Sequence, residues 1–139
     1  MLHLQNITLE NIAKRIKREK LRIVIYGAGM IGKIVVPDMI QRYGLPENID
    51  CYVDCDVRKQ GKYIMIGDRS VKICSPVVLD SIAQNSILFI TNSNYSAVLA
   101  KLDENKHLNG MDAIIIPVMQ ALAVKERGTA TEIILGNYS

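Results

Sequence analysis

Three glycines in the run IVIYGAGMIGK (residues 23–33), Gly27, Gly29 and Gly32, have the spacing G-x-G-x-x-G. That spacing suits the holding of a diphosphate. The first glycine permits a sharp exit from a strand, the second leaves no side chain in the path of an approaching pyrophosphate, and the third lets a helix pack closely on the sheet. The free N–H groups of Met30 and Ile31 then face the anion, helped by the positive end of the helix dipole. The spelling alone is weak; its weight comes from a strand before it, a helix after it and an acid at the end of the next strand. Asp54 stands 22 residues after Gly32 at the end of the apolar run CYVD. There a carboxylate accepts hydrogen bonds from ribose hydroxyls and favours NAD over NADP, whose 2′-phosphate it repels. Arg58, Lys59 and Lys62 come soon after and offset that charge. Thr91, Asn92 and Ser93 open the polar stretch TNSNY after another apolar run, where a loop flanks the ribose or the second phosphate. The plainer alternatives are a tight glycine turn with Asp54 capping a loop, and helix capping by Ser93 or Asn94.

The elements needed to position these residues are legible. LRIVIY, DCYVD, VKIC, SILFIT and MDAIIIP read as strands, the most apolar of them with the continuous hydrophobicity of a parallel sheet covered on both faces. Between them, MIGKIVVPDMIQRY and YSAVLAKLDEN read as helices. PVVLDSIA reads as a helix opened by the Ser75–Pro76 start signal. The segment with Gly61 and Gly67 reads as turns. Beyond residue 117, VMQALAV suggests a last helix and TEIILGN one more strand. Strands alternating with helices require crossovers, and the expected fold is α/β: a Rossmann-like, doubly wound, mainly parallel sheet with helices on both faces. Pro37 falls inside the first crossover helix, where it should kink the axis after the first turn.

Before that sheet, LQNITLENIAKRIKREK places Ile7, Ile12 and Ile16 near helical spacing with Lys and Arg on the other faces. Residues 1–20 are therefore expected to be a basic amphipathic helix, packed on the domain edge or linking it to a partner domain or second copy. Residues 21–139 are expected to form the nucleotide-binding domain. Residues 1–22 carry six Lys or Arg against two Glu, while the remainder is nearly neutral. With 5% aromatic residues, that distribution argues against nucleic acid as a partner. No apolar run reaches the roughly 18 to 20 residues of a membrane span. No signal-peptide layout opens the chain, so a cytoplasmic location is expected. Cys51, Cys55 and Cys74 are read as buried, reduced thiols, since two closely spaced cysteines without histidines make a poor metal site.

VIYGAGMIGK, YVDCDVRKQGK, ICSPVVLDSI and ILFITNSNY together resemble the small Rossmann domains of bacterial cell-surface polysaccharide and nucleotide-sugar enzymes, over about residues 21–105. The resemblance implies NAD(P) or a nucleotide-sugar in a cleft formed by Gly27 to Gly32, Asp54 and the loop from Thr91. The chain departs from that pattern in Pro37 and in the basic stretch IGDRSVK. No catalytic constellation is visible: no tyrosine has a lysine four residues after it, the spacing that short-chain oxidoreductases use. A binding module in surface-glycan synthesis is thus favoured over a self-contained oxidoreductase or a ligand-sensing, CoA-type domain.

Overall fold

The computed structural model describes residues 2–4 and 9–116. Along the chain run β1 (His3–Leu4), α1 (Leu9–Glu19), β2 (Arg22–Tyr26), a π-turn (Ile31–Val35) continuing into α2 (Val36–Arg42), and β3 (Ile49–Val53). Then come β4 (Tyr63–Ile66), β5 (Arg69–Cys74), β6 (Ser86–Ile90), α3 (Tyr95–Asp103) and β7 (Asp112–Ile115). The strands form one sheet in the order β1-β7-β6-β2-β3-β5-β4. Every pairing is parallel except that of β4 with β5. The fold is therefore α/β with a mostly parallel sheet and an N-terminal helix.

Apolar side chains alternate between the two sheet faces because successive residues of a strand point opposite ways. Ile23 and Ile25 of β2 join α1 and α2 in one core cluster, whereas Val24 and Tyr26 join Leu102 of α3 and Leu79 in the other. Burial on both sides explains why the central strands are almost continuously apolar beyond their first residues; every residue of β6 is buried.

Four expectations are corrected. Residues 1–20 are not one helix: His3–Leu4 is a strand that pairs with Asp112 and Ala113 at the sheet edge, and the described helix is Leu9–Glu19. The turn-rich segment contains a strand, β4, joined to β5 by the two residues Gly67 and Asp68. Gly67 has φ +61°, which places the glycine where a tight hairpin requires a left-handed residue. The stretch after Ser75 is a 3₁₀ helix, Pro76–Asp80, although Ser75 does accept the Val77 N–H at 3.4 Å as expected of a cap. Two adjacent β-branched residues and the Ser81 N–H closing on the Val78 C=O keep that segment to a single tight stretch. Cys55 is exposed, because β3 ends at Val53; Cys51 is buried and Cys74 half-buried. The last helix and strand expected beyond residue 117 lie outside the described residues.

The basic helix is part of the core. Ile12 and Ile16 of α1 are fully buried against the sheet, with Ala13 between them, and Arg15 reaches across to Asp112 at the start of β7. Among the described residues, no helix is long and apolar enough to cross a membrane.

Candidate functional site

Register brings the site together. Tyr26, the last residue of β2, lies beside Val53 of β3 and Ile90 of β6. The next residue in each strand is Gly27, Asp54 or Thr91, so three chain segments far apart in sequence leave the sheet abreast. β3 lies on one side of β2 and β6 on the other, and connections on the two sides diverge there. In open parallel sheets this is where a crevice forms. Hydrogen bonds seal the corner: Gly27 N–H to the Val53 C=O at 2.8 Å and Thr91 N–H to the Tyr26 C=O at 3.0 Å. The buried Thr91 hydroxyl shares its proton between the C=O groups of Tyr26 (3.1 Å) and Gly27 (3.0 Å).

The three glycines answer to different neighbours. At Gly27, with φ +112°, a Cβ would stand 2.4 Å from Thr91 Oγ1. At Gly32 it would stand 2.1 Å from the Gly27 C=O, backbone that has no freedom to move aside. At Gly29 a Cβ would meet nothing within 4 Å. Two of the glycines are required by the protein itself, and the third faces open space.

After Gly29 the chain turns into helix. The Lys33 N–H donates to the Gly29 C=O at 2.9 Å, and the amides just before Lys33 precede the first intrahelical bond. Just before Pro37, residues 31–35 are wound as a π-turn, with the Val36 N–H on the Ile31 C=O. That leaves the Gly32 C=O without a helical donor: Val36 is engaged, and the next candidate, Pro37, has no N–H. The Tyr52 hydroxyl, fully buried under the helix, supplies the bond at 2.6 Å. Burial raises the pKa of that phenol, so it stays a donor at physiological pH.

Asp54 is held from several sides. Its Oδ2 accepts the Ala28 N–H at 2.8 Å and its Oδ1 the Asp56 N–H at 2.8 Å. Lys59 Nζ lies 3.9 Å from Oδ2 and donates to the Ala28 C=O at 3.3 Å. Arg58 is engaged elsewhere: its guanidinium grips Asp56 at 3.0 and 2.9 Å and holds that carboxyl down at about 2.

These groups line a cleft of 320 Å³ formed by Gly27, Gly29, Met30, Ile31, Asp54, Lys59, Thr91, Asn92 and Ser93. Eight of the nine residues expected from the sequence converge here, and Gly32 packs beneath them against the Gly27 carbonyl. Asn92 Oδ1 is buried with no hydrogen-bond partner among the described residues. Asn94 stands at the start of α3, yet its side chain makes no capping bond. Lys59, expected to offset the charge of Asp54, is the one of its three candidates that lines the cleft, whereas Tyr52 as a support was not singled out, since its role depends on which strands become neighbours. A second cleft of 330 Å³ shares Asn92 and Ser93 and continues past Tyr26, whose hydroxyl lies 3.4 Å from Cys55 Sγ, to Lys101. His107 lies elsewhere, with Nε2 2.8 Å from the Ile82 C=O.

A larger concavity, 640 Å³, lies between Gln41, Pro46 and the β4–β5 turn. Its guanidinium, from Arg69, is already bound to the Pro46 C=O at 2.7 Å, and the concavity lies at the opposite end of β3 from Asp54. Among the described residues, no cluster of His, Cys, Asp or Glu is placed to hold a metal ion. No family model, curated protein or solved structure matches the chain.

Proposed function

We propose that this chain is a Rossmann-like, doubly wound nucleotide-binding domain whose cleft receives the diphosphate of NAD, NADP or a nucleotide-sugar, serving as a module in cell-surface polysaccharide or nucleotide-sugar synthesis. The strand order, the divergence of connections at β2 and β6, and helices on both faces support the fold half of this reading. The observation that carries the ligand half is Gly29. Gly27 and Gly32 are demanded by neighbouring protein atoms, but nothing in the protein requires a glycine at position 29, which opens onto the cleft. A ligand approaching the backbone gives that residue its reason. Thr91, Asn92 and Ser93 line the same cleft. The polysaccharide context rests on the sequence resemblance.

Calorimetry with NAD, NADP, UDP-sugars and CoA tests the reading: at least one nucleotide gives saturable heat. G29A then separates ligand from fold. It retains the wild-type melting temperature and loses about tenfold or more in affinity, because a methyl group occupies space the ligand needs. Absence of saturable heat from every compound defeats the proposal, and hydride transfer to a UDP-sugar by this chain alone replaces the module with a self-contained oxidoreductase.

A further inference from the structure

Resting on the nucleotide reading, we infer that Lys59 is the side chain that contacts the ligand's diphosphate, and that Asp54 is a positioning residue for the glycine loop and does not read the ribose. Of the three cations that come soon after Asp54 in sequence, Arg58, Lys59 and Lys62, only Lys59 lines the cleft. Arg58 is tied to Asp56 by two side-chain hydrogen bonds and is largely exposed.

An ammonium group has three donors. Lys59 gives one to the Ala28 C=O, and its 3.9 Å separation from Asp54 Oδ2 is an ion contact too long for a hydrogen bond. Donor capacity therefore remains toward the cleft, and the side chain keeps about a third of its surface exposed. Asp54 is the reverse case. Each of its oxygens already holds a backbone amide, one from the glycine loop itself and one from its own turn, and its side chain is only 15% exposed. With its charge answered by those amides and by Lys59, Asp54 presents little repulsion to a 2′-phosphate. The cleft thus takes nucleoside diphosphate conjugates by their shared diphosphate and separates NAD from NADP weakly.

The test titrates the full chain and its K59Q, K59R and D54N variants with NAD, NADP, ADP and inorganic pyrophosphate at two salt concentrations. K59Q is expected to weaken all four ligands together by about 10- to 100-fold, the range of a hydrogen bond to a charged group, and to flatten the salt dependence. K59R restores most of the affinity. D54N lowers melting temperature and weakens NAD and NADP in parallel, leaving their ratio unchanged. If wild type binds and K59Q binds equally well, or if D54N keeps its stability while shifting preference toward NADP, this inference fails and the nucleotide reading survives. If wild type binds none of the four or any UDP-sugar, both fail. Should K59Q not fold, acylation of Lys59 in the wild-type chain decides: pyrophosphate protects it from modification, and unprotected labelling at saturating ligand overturns the assignment.

Discussion

The carbonyl of Gly32 has two backbone groups from which a helix would ordinarily draw a donor, and neither is available. Val36 bonds to Ile31, Pro37 lacks a hydrogen, and the Tyr52 hydroxyl takes their place from the neighbouring strand. Removing that hydroxyl strands a buried acceptor, which costs about 1–3 kcal/mol. Y52F is accordingly expected to lower stability by that amount in chemical denaturation. P37A, which returns an N–H at position 37, recovers part of the loss in the double variant, and the resulting coupling energy measures the exchange. Equal losses from Y52F with and without proline at 37 would show the two to be independent. The glycine spacing was legible because the three glycines lie within six residues of one another, although what Gly27 meets, Thr91, is distant in sequence. Tyr52 was not, because its partner lies twenty residues away and meets it only through the packing of helix on strand.

Elements were legible in proportion to their hydrophobic continuity. β2 and β6 announced themselves as unbroken apolar runs, since both of their faces are covered. β4 has only four residues in an alternating pattern, with Tyr63 and Met65 exposed, and such a short alternation is easily taken for turn. The helix α1 was recognised, but its periodicity does not say how deeply it sits. With Ile12 and Ile16 fully buried, each contributes about 1.5–3 kcal/mol of burial, together a large part of the roughly 5–15 kcal/mol that holds a domain of this size. Deleting residues 1–20 is therefore expected to abolish the cooperative melting transition seen by circular dichroism. A truncated chain that melts sharply near the wild-type temperature would place the helix outside the cooperative unit.

At the level of the whole molecule, alternation of strands and helices was enough to set an α/β fold with a mostly parallel sheet. The short, alternating β4 hid the antiparallel edge hairpin, and sequence separation hid the two-residue β1 that extends the opposite edge. A ligand that binds only the folded chain stabilises it by about 2.7 kcal/mol at a hundredfold excess over Kd. For a chain of 139 residues this corresponds to a rise in melting temperature of roughly 10 °C, growing with the logarithm of concentration, which differential scanning fluorimetry reads directly. No displacement of the transition by any nucleotide at millimolar concentration would contradict the proposed function.

Gly27, Asp54 and Thr91 are neighbours only because three strands terminate level with one another. A slip of one residue in either pairing would turn the adjoining side chain to the opposite face and dismantle the crevice. Intermediates that have docked β2 on β3 but not yet on β6 thus lack one wall and have no grip on a nucleotide. In refolding experiments, capture of the nucleotide should trail the recovery of helical signal and coincide with the last strand's insertion, making occupancy a sensor of correct alignment.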